Sequence, residues 1–330
     1  MKSSAKPTTP LFFRPLIKRA LWGGRRLGEV LGKPLGPETD YAESWEIVDH
    51  GQDQSVVVGG PWTGRTLGEL TAVEGSALLG RHAPQQRFPL LFKFLDCREK
   101  LSVQVHPNDA QAATLTPPDL GKTEAWVILA AEPGSVIYAG LKPGHDRAAL
   151  QHATADGTSD RCLHRFEPQV GECLFLPAGV VHAPGGGLLI AEIQQASDTT
   201  FRLFDWNRTG ADGKPRQLHI EQGLAVIDYD FGPARMQSPQ PTGDAHVERL
   251  VACDKFVLDR ITLAAGDEWT LTNDDRFRIF AVCDGAVTIA TAGNAPTNFD
   301  KGATCLLPAC VTMATLRAEQ PTAVLMAYLP

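Results

Sequence analysis

The residues with the clearest chemical pattern lie in the segment Leu101–His106, where apolar and polar side chains alternate. Read as a β-strand, Leu-Ser-Val-Gln-Val-His places its apolar side chains on one face and Ser102, Gln104 and His106 on the other. Pro107 ends this strand directly after the histidine. The alternation predicts one packed face and one face of candidate ligands.

A second alternating segment, Gly121–Leu129, carries Lys122, Glu124 and Trp126 on one face. Lysine and glutamate are mostly exposed, and an exposed ion pair on a strand contributes little to stability. Taken alone, this segment favours a solvated charge pair. A chemical role for Lys122 and Glu124 therefore needs support from elsewhere in the chain.

The segment Gly171–His182 has the spacing G-x5-P-x-G-x2-H, in which Pro177 and Gly179 precede His182. The segment Gly302–Pro308 repeats G-x5-P, and Met313 stands where the first copy has the histidine. A repeat in which one copy keeps the polar residue indicates one working unit and one structural unit. A pattern this loose also leaves chance coincidence of two proline-ended strands open.

The elements that must position these residues read as short strands. Apolar runs are punctuated by 31 glycines and 24 prolines, which is typical of all-β sandwiches and barrels. Helical periodicity is limited to three short stretches, at residues 67–81, 107–115 and 144–153. We therefore predict an all-β fold with minor helices.

The chain divides at a stretch rich in glycine, proline, glutamine and aspartate. We predict an N-terminal segment with a catalytic, metal-binding domain over residues 1–215, a linker region over 216–243, and a second, degenerate β domain over 244–330. Everything with a chemical pattern precedes the linker. The second domain reads as strands joined by turns, including the hairpin turn at Asp284-Gly285.

The motif at Gly171–His182 resembles the second signature of the cupin superfamily, in which the histidine projects into a barrel towards a metal. The first cupin signature usually supplies His-x-His and then a glutamate, whereas this chain has Gln104-Val105-His106 followed by Lys122-Thr123-Glu124. That departure is similar to type I mannose-6-phosphate isomerases of the short bacterial form. Blocks that look like that family occur in order at Trp22–Gly24, Glu43–Glu46, Pro89–Asp96, Leu101–Pro107, Gly121–Trp126 and Gln194–Arg208.

The resemblance implies a cupin double-stranded β-helix, a jelly-roll barrel, in two barrel-like units of which only the first carries a metal. It also implies one zinc ion per chain, with Gln104, His106, Glu124 and His182 as its ligands. Imidazole nitrogens with carboxylate or amide oxygens are acceptable zinc ligands. A site with one carboxylate keeps net positive charge, which can polarise sugar oxygens.

The implied reaction is isomerisation of mannose 6-phosphate to fructose 6-phosphate through an enediol, with the phosphosugar as partner. By resemblance Arg202 and Lys122 are catalytic, and Ser102 and Lys122 hold the phosphorylated substrate. Lys93, a base within an apolar run, is a further candidate for substrate binding, although a buried stem with a surface head group explains it equally well. The proton-transferring base stays open between a metal-bound water, Lys122 and a carboxylate.

Two other classes of function compete with this interpretation. Two histidines and a glutamate also describe the facial triad of a cupin oxygenase, although Gln104 weakens that case and such an enzyme needs no surrounding lysine, serine and arginine. A sugar-phosphate-binding cupin without turnover is the other alternative. Metal content and turnover distinguish the three.

Composition excludes several partners. The 330 residues carry 31 Lys plus Arg against 38 Asp plus Glu, a net charge of −7, so no overall positive field gathers nucleic acid or an anionic membrane. The early apolar stretch is interrupted by Arg14, Pro15 and Lys18, which argues against a signal peptide or membrane span and favours a cytoplasmic protein of carbohydrate metabolism. Seven cysteines without a CxxC pair predict neither a disulfide framework nor a thiolate zinc site. A monomer or a homodimer fits equally.

Overall fold

The computed structural model describes residues 7–210 and 213–330, and the architecture there is two pairs of large β-sheets, two small two-stranded sheets and short helices. Residues 1–6 and 211–212, which the predicted first domain includes, lie outside the described residues. Within the described residues, no helix has the length and apolar character needed to cross a membrane. The predicted all-β cupin-type fold with minor helices and two barrel-like units is confirmed.

The first barrel consists of a five-stranded sheet in the order β11-β10-β13-β8-β15 and a six-stranded sheet in the order β12-β9-β14-β7-β3-β2. Their inner faces meet in one apolar cluster that includes Leu95, Trp126 and Ile137. The strands of this half are β1 (Phe12–Arg14), β2 (Leu16–Gly24), β3 (Tyr41–Ile47), β4 (Asp49–His50), β5 (Asp53–Gln54), β6 (Val56–Val58), β7 (Leu90–Cys97), β8 (Val103–Val105), β9 (Glu124–Ala131), β10 (Ile137–Leu141), β11 (Leu163–Phe166), β12 (Cys173–Leu176), β13 (His182–Pro184), β14 (Leu188–Gln195) and β15 (Phe201–Phe204).

The second barrel pairs a six-stranded sheet, β16-β17-β18-β25-β20-β23, with a four-stranded sheet, β19-β24-β21-β22. Its interior is filled by apolar side chains such as Ile261, Phe280 and Leu316. The strands are β16 (Gln240–Pro241), β17 (Val247–Ala252), β18 (Val257–Leu263), β19 (Glu268–Thr272), β20 (Arg278–Asp284), β21 (Ala286–Thr291), β22 (Thr297–Asp300), β23 (Thr304–Leu307), β24 (Met313–Ala318) and β25 (Thr322–Tyr328).

Within the described residues, five short α-helices lie around the barrels. The predicted stretches 67–81 and 107–115 contain α2 and α3, and the stretch 144–153 overlaps α4, which continues to Ala155. Each of the three is preceded by a capping residue: the side chains of Thr66, Asn108 and Asp146 accept hydrogen bonds from backbone N–H groups of the first turn. The helices are α1 (Arg26–Glu29), α2 (Leu67–Leu79), α3 (Asp109–Ala112), α4 (Arg147–Ala155) and α5 (Ile220–Val226).

Helix α5 lies within the stretch predicted to be a linker. Its Leu224 is fully buried among apolar side chains of the first barrel, including Val105 and Leu203. This segment therefore packs against the sheet that carries β8 and β15. The exact limits of the three predicted regions stay a prediction.

The repeat found in the sequence is also a repeat of structure. Gly171 and Gly302 both adopt positive φ, 86° and 83°, in the turn before a four-residue strand, β12 or β23. Only glycine adopts this backbone region at little cost. The next strand begins at His182 in the first copy and at Met313 in the second, where the methionine is 49% exposed and the histidine 1%. The two copies thus place a buried ligand candidate in one barrel and a surface residue in the other.

The two barrels share the largest apolar cluster. Outward-facing Phe92 and Ile193 of the first barrel lie in it together with Phe256, Ile279 and Leu325 of the second. The six-stranded sheet of each barrel is consequently covered on its outer face by the other barrel. This frame leaves the interior of the first barrel for the polar side chains described next.

Candidate metal and substrate site

Three strands of the six-stranded sheet direct charged side chains into the first barrel. Lys93 on β7, Glu124 on β9 and Glu192 on β14 alternate with neighbours such as Phe92 and Ala191 that face the second barrel. Pairing fixes their positions along the strands, because Glu192 lies opposite Lys93 and Gln194 lies opposite Glu124. Lys93 and Glu192 therefore lie at one level of the barrel, and Glu124 lies two positions further along the sheet, beside Gln194.

The facing five-stranded sheet supplies the remaining polar groups. Gln104 on β8 lies opposite His182 on β13 and opposite Arg202 on β15. Ser102 and His106 flank Gln104 at alternate positions, as the sequence predicted for this strand. The strand pairings thus bring Gln104, His182 and Arg202 side by side.

A buried group of three side chains could hold a metal ion. His106, Glu124 and His182 each offer a ligand atom, and these atoms lie within 4.8 Å of one another. Glu124 Oε1 is 3.2 Å from His182 Nε2, and Glu124 Oε2 is 3.6 Å from His106 Nε2. Among residues 7–210 and 213–330 it is the one such group of at least three His, Cys, Asp or Glu side chains.

Backbone carbonyls set the orientation of both imidazoles. His106 Nδ1 lies 2.9 Å from the Thr199 carbonyl oxygen, and His182 Nδ1 lies 2.9 Å from that of Val180. Because a carbonyl oxygen can only accept, each Nδ1 carries a proton, and each ring turns its Nε2 atom towards Glu124. This is how proteins commonly orient a metal-binding histidine.

The electrostatics of the triad fit a cation. Burial, followed by the Lys122 ammonium, lowers the pKa of His106 well below its ordinary value, so the ring is neutral. Burial raises the pKa of Glu124, but the charge of Lys122 lowers it, and the net shift is downward, so this group remains a carboxylate. Glu124 Oε1 is buried without a hydrogen-bond partner and lies 3.2 Å from the Nε2 atom of His182. A metal ion is the partner that such electron-rich atoms lack.

Gln104 lies at the edge of this group. Its amide nitrogen is 3.4 Å from His182 Nε2, and its amide oxygen accepts a hydrogen bond from Ser102 Oγ at 3.3 Å. A metal would need the oxygen where the nitrogen stands, which a half-turn of the amide provides. The predicted fourth ligand is therefore adjacent to the other three.

Two lysines connect the triad to further carboxylates. Lys122 Nζ donates to Glu124 Oε2 at 2.7 Å and lies 3.2 Å from His106 Nε2. Lys93 Nζ donates to Glu43 Oε2 at 2.9 Å and lies 3.5 Å from Glu192 Oε1. Both ammonium groups are buried inside the barrel. The alternative that Lys93 keeps its head group at the surface is wrong.

Arg202 is a further basic side chain of the site. Its Nε donates to Ser102 Oγ at 3.3 Å and its Nη1 to the Gln217 carbonyl at 2.9 Å. Asp205, the ion-pair partner considered for Arg202 from the sequence, is instead held by Arg208 and Arg216. Burial, followed by the charge of Arg216, lowers the pKa of Arg202. The surroundings of Arg202 are therefore rich in positive charge.

A cavity of ≈ 260 Å³ connects these groups, and its lining includes Lys122, Gln104, Ser102 and Arg202. The volume suits a small polar ligand. The lining also contains carboxylates that the sequence did not single out as site residues: Glu43, Glu192 and Asp198. A signal for Glu192 was its position as the one charged residue of an otherwise uncharged strand, Leu188–Gln195.

Glu192 is the most perturbed of these carboxylates. Burial, reinforced by the charge of Glu124, raises its pKa to about 7, although Lys93 and Lys122 oppose the shift. Its Oε1 has no hydrogen-bond partner. A carboxyl group with these properties can accept and return a proton near neutral pH.

Comparison with known proteins gives consistent matches. Residues 11–124 match the family model "Phosphomannose isomerase type I, catalytic domain". The chain is 35% identical over 306 residues to mannose-6-phosphate isomerase ManA of Bacillus subtilis, covering 91% of this chain and 93% of that protein. It is 38% identical over 218 residues to the mannose-6-phosphate isomerase of Streptococcus mutans, covering 66% and 67%. The crystal structure of the Bacillus subtilis mannose 6-phosphate isomerase superposes with a TM-score of 0.88 at 27% identity, over 97% of this chain and 100% of that one.

Proposed function

Because the chain belongs to the type I phosphomannose isomerase family, we propose that it interconverts mannose 6-phosphate and fructose 6-phosphate with the help of a zinc ion. The observation that carries this proposal is a buried His-Glu-His group beside a cavity lined by lysine, arginine and carboxylate side chains. The set of imidazole, carboxylate and amide donors suits zinc, and the isomerisation requires no change in the oxidation state of the metal.

We propose that His106, Glu124, His182 and Gln104 hold the metal. When bound there, a zinc ion supplies Lewis-acid polarisation of the sugar oxygens at C1 and C2. Lys122 lies beside the triad, where its ammonium can donate hydrogen bonds to the same oxygens as negative charge develops on them.

We propose that Ser102 and Arg202 bind the phosphate, a substrate-binding role for Arg202 in place of the catalytic role expected from the resemblance. The hydroxyl and the guanidinium are already in contact, and a guanidinium binds phosphate oxygens through two parallel hydrogen bonds. A substrate whose phosphate binds Ser102 and Arg202 would extend its C1 and C2 atoms towards Lys122 and Glu192. Lys93 keeps Glu192 and Glu43 in place and presents a further donor to the sugar hydroxyls.

Glu192 is our candidate for the proton-transferring base. The aldose-to-ketose direction requires removal of a proton from C2 and delivery of a proton to C1. A carboxylate without a hydrogen-bond partner, in a cavity and with a pKa near 7, suits both transfers.

The test is turnover of mannose 6-phosphate by the purified chain, before chelation, after chelation, and after addition of zinc, manganese or iron. We expect chelation to abolish turnover and zinc to restore it. His182→Ala should lose metal and activity together, whereas His152→Ala, an exposed histidine on α4, should lose neither. Full zinc occupancy without turnover would favour a binding protein, and restoration by iron alone would contradict the assignment of zinc.

A further inference from the structure

We propose that Asp119 is a positioning residue that anchors the loop of residues 197–200, and through it the metal ligand His106. The inference rests on the proposed function, because it concerns how the chain holds the metal. Asp119 lies in the loop before β9 and does not line the cavity itself.

The carboxylate of Asp119 binds the loop at two points. Its Oδ2 accepts hydrogen bonds from Ser197 Oγ and from Thr199 Oγ1, both at 2.9 Å. Ser197 Oγ in turn accepts from the Thr199 backbone N–H at 3.3 Å. One oxygen atom therefore fixes both ends of the turn from Ser197 to Thr199.

The same carboxylate is held from its other side by two basic side chains. His50 Nε2 lies 3.3 Å from both carboxylate oxygens, and Arg87 Nη1 donates to Oδ1 at 3.2 Å. The side chain of Asp119 is only 11% exposed. Burial raises the pKa of Asp119, but hydrogen bonds from His50, the Leu120 N–H and the two hydroxyls lower this pKa by a larger amount. The group therefore remains a carboxylate with all its acceptor positions.

The loop anchored by Asp119 contacts both the metal ligand His106 and the cavity. The Thr199 carbonyl is the oxygen to which His106 Nδ1 donates at 2.9 Å, and Asp198 and Thr200 line the cavity. Thr199 thus binds Asp119 through its side chain and His106 through its backbone. Without the anchor, the carbonyl loses its fixed position, and the His106 ring loses the contact that sets both its tautomer and its direction.

The experiment measures zinc affinity, which does not depend on catalysis. Zinc dissociation constants of the wild-type chain and of Asp119→Ala and Thr199→Val are obtained by competition with a chromophoric chelator. Losing the direct partner of a metal-binding histidine weakens metal binding by about 10- to 100-fold. Asp119→Ala leaves the Thr199 carbonyl present but unanchored, so we expect a loss at the lower end of that range, about 10-fold. Thr199→Val keeps the carbonyl and removes only the hydroxyl, so we expect a smaller loss in the same direction.

A spectroscopic readout separates positioning from general loss of stability. In the metal-free chain, ¹⁵N NMR of the imidazoles should show His106 as the Nδ1-protonated tautomer. Asp119→Ala should convert that signal to a mixture of tautomers. The matched control is Asp259→Ala, which removes another buried carboxylate, one that accepts from Arg249 and Tyr328 in the second barrel. That variant should unfold more easily yet keep the wild-type zinc affinity and His106 signal.

Wild-type zinc affinity in a folded Asp119→Ala would overturn the proposal. If Asp119→Ala does not fold, the test rests on Thr199→Val. An unchanged zinc dissociation constant and an unchanged His106 tautomer in that variant would contradict the proposal. A wild-type chain that binds zinc without isomerase activity would refute the proposed reaction and leave this inference standing if the variants behave as expected. A wild-type chain that binds no zinc would refute both.

Discussion

The Glu192 carboxyl group combines burial, an oxygen without a hydrogen-bond partner and a pKa raised to about 7. Charged groups surround it on every side: Lys93 on β7, Glu124 on β9, Glu43 on β3, and Lys122 beside β9. A bound cation would offset the charge of Glu124 and so reduce the upward shift of the pKa. We therefore expect the base to titrate at or slightly below pH 7 in the holoenzyme.

Since a base works only when deprotonated, kcat/KM should rise with pH through that pKa and level off above it. Glu192→Gln should lose this limb and reduce kcat by about 10²- to 10⁴-fold, the usual contribution of a positioned acid or base. The measurement is kcat/KM between pH 5.5 and 8.5 at saturating zinc. Glu46→Gln is the control, because Glu46 is equally buried but bonds Ser44 and Thr304 outside the cavity. An unchanged limb in Glu192→Gln would assign the base to another group.

Arg202 is the second side chain whose role can be isolated. Arg202→Ala removes the guanidinium beside Ser102 but none of the proposed metal ligands. We expect full zinc content and a loss of kcat/KM of about 10- to 100-fold, because a hydrogen bond to a charged group such as the phosphate contributes about 1.5–3 kcal/mol. Ser102→Ala should chiefly raise KM. Steady-state kinetics with metal analysis on the same samples tests both, and loss of zinc in Arg202→Ala would contradict the separation of phosphate and metal sites.

At the scale of single elements, alternation within strand β7 decides which residues enter the site. Lys93 faces the barrel and pairs with Glu43 and Glu192, whereas Phe92 faces the shared core. Removing one partner of a buried ion pair costs about 3–5 kcal/mol because the remaining charge stays buried. Lys93 is therefore expected to stabilise the fold as well as the substrate.

Lys93→Met should lower the free energy of unfolding most at pH 8, where Glu192 and Glu43 are both charged and lose their cation. At pH 5.5 Glu192 is protonated in the folded chain, so the difference from wild type should shrink. Urea unfolding of the metal-free chain at the two pH values measures this. Phe92→Leu, on the other face of the same strand, should destabilise equally at both. A pH-independent effect of Lys93→Met would show that Glu192 is not paired with it.

The sequence allowed half of the site to be predicted at this scale because only some strands carry a pattern. Alternating polar side chains on β8 and β9 indicated which of them share a face, and the structure places Gln104, His106 and Glu124 together. Strands β7 and β14 are buried on both faces, so hydrophobicity does not distinguish the inward from the outward side. Glu192 therefore went unnoticed. Asp119 and Asp198 lie in loops, where their partners depend on tertiary contacts alone.

For the whole molecule, composition and the G-x5-P repeat predicted two β units but not how they associate. The largest apolar cluster belongs to both barrels, and polar contacts cross the same boundary. Lys255 of the second barrel binds Asp109, whose carboxylate also accepts from the Gly121 N–H beside Lys122. Glu46 accepts from Thr304 in a similar way. The second barrel consequently supports the sheet and the loop that carry the site.

This arrangement predicts that the two barrels unfold together. Differential scanning calorimetry should show one transition with a calorimetric-to-van't Hoff enthalpy ratio near 1. Phe280→Ala, inside the second barrel only, should lower its midpoint, because such core truncations cost about 3–5 kcal/mol. Zinc binds in the first barrel, yet it should raise the midpoint of wild type and variant alike, since ligand binding stabilises the whole cooperative unit. If the barrels were independent, Phe280→Ala would instead show a separate low-temperature transition that zinc does not move.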